Sequence, residues 1–87
     1  MNLLFMNKKE SNTVRFHNYK VIIEECEEGG FYAECPAFPG CHVEGETYEE
    51  TINEMKEAVK NFIEDYSSRN EEIPSDNFLV TSIQIAI

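Results

Sequence analysis

Eighty-seven residues, 41% of them hydrophobic and 11% aromatic, make one folded domain and exclude both a second domain and a disordered chain. Seventeen acidic against seven basic side chains give a formal charge of −10. That balance repels phosphate backbones and disfavours generic nucleic-acid binding, while it attracts a basic protein partner. Three cysteines, an odd number, with no secretory signal point to reduced thiols in a soluble cytoplasmic protein. A chain this short buries only about 60–65% of its unfolded surface, so a homodimer, a higher homo-oligomer or a bound partner is expected.

In chain order, residues 1–12 show no sustained periodicity and read as a flexible extension ahead of a domain over 13–87. Leu3-Leu4-Phe5-Met6 is too short for a membrane span or a signal core, and Lys8, Lys9 and Glu10 follow it. The first strand is expected within Val14–Cys26, strongest from Tyr19. Tyr19, Val21 and Ile23 share one face, and Lys20, Ile22 and Glu24 the other. Glu24, Glu25, Glu27 and Glu28 crowd the hairpin end, where Gly29 and Gly30 tolerate the positive φ of a tight turn. A second strand follows over Phe31–Cys35. Pro36 and Pro39 cannot donate ladder hydrogen bonds, so pairing stops there, and Gly40 lets the chain reverse. A third strand is expected over about Cys41–Glu44, ending at Gly45.

Thr47 followed by Glu50 reads as a capping box for a helix from Tyr48 to about Ser67. Tyr48, Ile52, Met55, Val59, Phe62, Ile63 and Tyr66 fall on one arc of that helix at 3.6 residues per turn. Ile73–Asn77 is a connector. Val80–Ile87 alternates Thr81, Ile83, Ile85 and Ile87 with Ser82, Gln84 and Ala86, the pattern of a last strand. The order β-β-β-α-β predicts an α+β fold, a mostly antiparallel sheet with one long amphipathic helix on one face. The other sheet face needs cover too, a further reason to expect a dimer.

Chemistry is sparse. A two-metal nuclease site needs converging carboxylates, whereas the aspartates, Asp65 and Asp76, lie late in the helix and in the connector. Glu24 and Glu34 are expected to face solvent. Cys26, Cys35, Cys41 and His42 are conceivable zinc ligands, but no C-x-x-C spacing is present and the cysteines read as small hydrophobes. Cys41 and His42 are strand neighbours that point to opposite faces, so they do not form a nucleophile–base pair. His17 reads as solvent-facing. No catalysis, metal or cofactor is expected. Glu50, Glu54, Glu57, Asn61 and Asp65 line one helix flank at spacings of three and four. This is either a solvated helix face or, with the Glu24–Glu28 cluster, an electrostatic match for a basic partner. Tyr32 and Phe38 are the candidate hydrophobic anchors.

The stretches Tyr19-Lys20-Val21-Ile22-Ile23, Gly29 through Pro36, Phe38-Pro39-Gly40-Cys41 and Gly45-Glu46-Thr47-Tyr48-Glu49-Glu50, with the amphipathic helix and Ile73-Pro74, resemble the HicB-like antitoxin family in its small single-domain form. The resemblance runs from about Asn18 to Ile87. It implies a partial ribonuclease-H-like fold with Gly29, Gly30, Cys35, Pro36, Pro39, Gly40, Cys41, Gly45 and Thr47 as a structural loop motif. It also implies a partner: a small basic RNA-cleaving toxin of the HicA type, which such antitoxins neutralise by covering it. Many members carry a further DNA-binding domain. The chain here ends at Ile87, directly after the last expected strand, so direct nucleic-acid binding is not expected. The alternatives are a free-standing oligomeric module of the same fold, with or without a small ligand, and a regulator that contacts DNA through dimer surfaces.

Overall fold

The computed structural model describes residues 15–87. The expected extension, residues 1–12, and the beginning of the strand expected from Val14 lie outside the described residues. Three short strands form one antiparallel sheet in the order β1-β2-β3: β1 is Ile22–Glu25, β2 Phe31–Glu34 and β3 His42–Gly45. One helix among the described residues, α1, runs from Tyr48 to Ser68 and packs on β2 and β3. The class is α+β, as the sequence pattern predicts.

The first hairpin is a three-residue loop. Cys26 N–H donates to Gly30 O at 2.9 Å and Gly29 N–H to Cys26 O at 3.0 Å, with Gly29 at φ +103°. A turn followed by a left-handed glycine is the bulged hairpin that such spacing favours. The register then explains why β1 is shorter than the alternation suggests. Ile22 lies opposite Glu34, so Lys20 would lie opposite Pro36, which has no N–H to offer. Lys20 N–H instead donates to Asp76 Oδ2 at 2.9 Å.

Between β2 and β3 the chain makes two consecutive turns. Phe38 N–H donates to Cys35 O at 3.1 Å, Cys41 N–H to Phe38 O at 3.0 Å, and Cys35 N–H closes the loop on Cys41 O at 3.0 Å. Pro36 and Pro39 each take the second position of a turn, where their fixed φ fits, and Gly40 at φ +84° marks the second turn as type II. The apolar residues of this loop therefore point inward together. Ala33, Cys35, Ala37, Phe38, Cys41 and Met55 form the buried centre, with Tyr19, Val21, Ile23, Val43, Val59, Phe62, Ile63 and Tyr66 packed around it. The Phe38 ring lies 4.9, 5.8 and 6.0 Å from the rings of Tyr19, Phe62 and Tyr66.

Helix α1 starts and stops on recognisable chemistry. Thr47 Oγ1 accepts from Glu50 N–H at 3.0 Å, and the Glu50 carboxylate accepts from Glu46 N–H at 2.7 Å, one residue earlier than in the standard capping box. At the far end Asn70 takes φ +57°, Asn70 N–H donates to Ser67 O and Glu71 N–H to Tyr66 O, the paired bonds of a Schellman cap. Gly45 lets the helix start approach β3: an added Cβ would lie 2.9 Å from Thr51 N and against its hydroxyl. Thr51 is fully buried there, its hydroxyl donating to Thr47 O at 2.7 Å.

The final strand is where structure and expectation part. Residues 71–87 carry no ladder among the described residues, and Leu79, Val80, Ile83, Ile85 and Ile87 are exposed. The alternation is correct for a strand, but a strand exists only when its backbone groups are paired. The connector itself is docked: Tyr19 Oη donates to Pro74 O at 2.9 Å, and Asp76 bonds both the Lys20 amide and the Lys20 ammonium, the latter at 3.1 Å.

Candidate partner-binding surface

Residues directly opposite across a ladder share a face of the sheet. The pairings Ile22–Glu34–His42 and Glu24–Tyr32–Glu44 therefore place those six side chains on the face turned away from α1. Tyr32 stands in the middle of the sheet, half-buried, flanked by Glu24, Glu34 and Glu44. Its hydroxyl donates to Glu34 Oε1 at 3.2 Å, and its ring lies 5.8 Å from the His42 ring. Loss of water contact, the Glu34 hydrogen bond and the charges of Glu34, Glu24 and Glu44 together push the Tyr32 phenol above its ordinary value. The group stays a neutral donor in an acidic surround. Glu25, Glu27 and Glu28 extend the negative field at the hairpin end, all exposed.

This open face does not need the apolar cover that the sequence reading demanded of it. Of the side chains placed there, Ile22 is the large aliphatic one; the others are polar or carry a hydroxyl or imidazole edge. Its character is that of a wet surface with one aromatic anchor.

The helix flank is a second acidic surface on the opposite side of the layer. Glu50, Glu54, Glu57, Asn61 and Asp65 are all exposed, as the spacing predicts. Their charges are unequally available. Glu50 is engaged at the helix start, and Arg69 pairs with Asp65 at 3.1 Å and with Glu71 at 3.3 Å. Glu54 and Glu57 make no ion pair among the described residues. One flat partner cannot cover both the helix flank and the open sheet face, because α1 and the sheet lie between them.

Phe38 is 1% exposed. It anchors the core and offers no surface to a partner, because the two proline turns fold its ring under the loop. The surface anchor among the two aromatic candidates is Tyr32. Sequence reading placed Glu24 and Glu34 toward solvent but did not gather them with Glu44 around Tyr32. The hairpin spacing carried that signal, since a bulged turn at Gly29 fixes Glu24 opposite Tyr32.

The loop-motif residues take structural positions. Gly29, Gly30 and Gly40 have positive φ, and an added Cβ on Gly30 would meet Gly45 O at 2.8 Å. Cys35 and Cys41 are buried free thiols, and Cys26 is a half-buried one. Burial pushes the Cys35 and Cys41 thiols above their ordinary value, so both remain protonated, and Cys41 Sγ lies 3.7 Å from Met55 Sδ. Among the described residues no group of three or more His, Cys, Asp or Glu converges on a point that could hold a metal ion. His42 and His17 are exposed. No helix among the described residues is long and apolar enough to cross a membrane.

The sequence that folds this way has relatives. The chain is 33% identical over 73 residues to a UPF0150 protein of Synechocystis sp., covering 84% of this chain and 92% of that one. It is 42% identical over 59 residues to a UPF0150 protein of Thermoplasma acidophilum, covering 68% of this chain and 86% of that one. A second Synechocystis UPF0150 protein is 43% identical over 58 residues, covering 67% and 80%. Residues 19–85 match the model of the HicB-like antitoxin of bacterial toxin–antitoxin systems, a span that begins at the tyrosine on the core ring stack and takes in the sheet, the helix and most of the exposed tail. On that match the chain belongs to the HicB-like antitoxin family.

Proposed function

We propose that this chain is an antitoxin that binds and occludes a small, basic, RNA-cleaving toxin of the HicA type. The observation that carries the reading is the open sheet face, where three carboxylates surround one half-buried tyrosine. A tyrosine offers a rigid apolar ring and a hydroxyl donor at little conformational cost, the usual character of a hot-spot residue. Carboxylates around it suit lysine and arginine side chains, and they contribute more to association rate than to final affinity. Glu54, Glu57 and the remaining helix-flank acids, Glu50 and Asp65, act at longer range as a steering field. The action is masking rather than catalysis: Tyr32, its surrounding carboxylates and His42 form a surface for contact with the partner.

The test is co-expression with the neighbouring genes followed by affinity capture. A stoichiometric basic partner whose RNA cleavage is silenced supports the antitoxin reading. In that complex Tyr32→Ala should weaken binding by about 30-fold or more, the scale of a hot-spot truncation. Glu54→Lys should mainly slow association and flatten its salt dependence. Capture of a lone oligomer with no toxic neighbour overturns the reading in favour of a free-standing module.

A further inference from the structure

Two features of the molecule are left without a partner, and they match each other. The first is the tail over residues 78–87. It carries no charged side chain, and Leu79, Ile83 and Ile85 are 92, 80 and 66% exposed on one alternating face. The second is an open groove of about 560 Å³ between α1 and the segment that leads into β1. Tyr19, Val21, Ile52, Met55, Val59 and Ile63 line it. It exists because α1 packs on β2 and β3 and leaves β1 uncovered.

Beside this groove runs an unpaired sheet edge. Cys26 and Gly30 form the first hydrogen-bonded position of the hairpin, so Glu24 and Ile22 turn their backbone groups toward β2. Alternation then turns those of Val21, Ile23 and Glu25 outward, to an edge with no strand among the described residues. A bare edge next to an apolar groove is a docking site for one added strand.

We propose that residues 79–87 of one copy pair with the β1 edge of a second copy and lay Leu79, Ile83 and Ile85 into its groove, reciprocally, giving a strand-exchanged dimer. The dimensions agree: nine extended residues span about 30 Å, and a 21-residue helix is also about 30 Å long. The occupant is another copy rather than the chain's own tail because of the connector. Tyr19–Pro74 and Lys20–Asp76 fix the connector at the start of its own β1, and from there the tail leaves with its apolar face in water. Charge selects the meeting place as well. Two chains of −10 repel, yet the tail is neutral and the groove carries Lys56 and Lys60, two of the seven basic residues, against one acid, Glu64. Exchange of an identical element is a low-cost route to a closed two-fold dimer. The inference does not rest on the toxin reading.

The test uses the full chain and two variants, followed by light scattering on a sizing column. Ile83→Asp/Ile85→Asp disables the tail, and Val59→Asp disables the groove. The unaltered chain should be a dimer whose thermal midpoint rises with concentration. Each variant alone should be a monomer. An equimolar mixture should regain a dimer peak, because the intact tail of one variant enters the intact groove of the other. Should Val59→Asp lose its helix signal, Lys60→Trp, which fills the groove from its exposed rim, takes its place. A monomeric unaltered chain, a dimer that survives the tail variant, or a mixture that stays monomeric overturns the proposal.

Discussion

The proline loop from Cys35 to Cys41 and the tail from Phe78 to Ile87 are both short, uncharged and rich in apolar side chains, yet they end in opposite conditions. In the loop Cys35, Ala37, Phe38 and Cys41 are buried. In the tail every residue is exposed. Local closure makes the difference. Three backbone hydrogen bonds within seven residues, two prolines and one left-handed glycine complete the loop by itself, so its side chains are aimed before any distant contact forms. A β-strand has no such closure. Its pairing groups must come from elsewhere in the chain or from another one.

The comparison breaks most sharply at Phe38. Phe38→Ala removes the ring that joins Tyr19, Phe62 and Tyr66, and denaturant unfolding should show a loss of about 3–5 kcal/mol. An equal truncation in the tail, at a concentration where the chain is monomeric, should cost almost nothing. A small effect at Phe38 would mean that the loop is not the keystone of the core. Next in size is Gly45→Ala. Its new methyl would press on the Thr51 hydroxyl and backbone, and overpacking of this kind costs about 1–3 kcal/mol. Its reading is a lowered thermal midpoint with an unchanged helix content.

The smallest effect tests the clip that holds the connector just ahead of the tail. Burial alone would raise the Asp76 carboxyl, but the Lys20 side chain, the Lys20 amide, the Lys20 charge and the Phe78 amide hold it below its ordinary value. A depressed folded-state value stabilises the fold above the unfolded carboxylate pKa of about 3.9 and loses that contribution as pH falls through the folded value. The difference in denaturation midpoint between the unaltered chain and Asp76→Asn should therefore be steady near neutrality and shrink toward zero in acid. A difference that persists at the lowest pH would assign the clip to geometry rather than charge.

Much of the fold was legible because its signals are local. The positive-φ glycines, the prolines that end pairing, the Thr47–Glu50 cap and the 3.6-residue arc from Tyr48 to Tyr66 each act within a few residues. The last strand was legible as a pattern and not as a structure, since alternation specifies which face is apolar but not who supplies the edge. Phe38 was misplaced as a surface anchor for a related reason: a loop between prolines normally lies at the surface, and only its hydrogen-bonded double turn reveals that it folds inward. The cluster around Tyr32 needed the register, which follows from counting outward from the bulge.

One consequence of the docked connector is optical. The chain has four tyrosines and no tryptophan. Tyr19 bridges the start of β1 to Pro74 and stacks on the core, whereas Tyr32 sits on the open face against a carboxylate. Tyr48 and Tyr66 contribute to the near-ultraviolet signal as well, so the two positions are read by difference between single tyrosine-to-phenylalanine variants. The signal lost on replacing Tyr19 by phenylalanine reports the clasp between sheet and connector, and the signal lost on replacing Tyr32 reports what arrives on the open face.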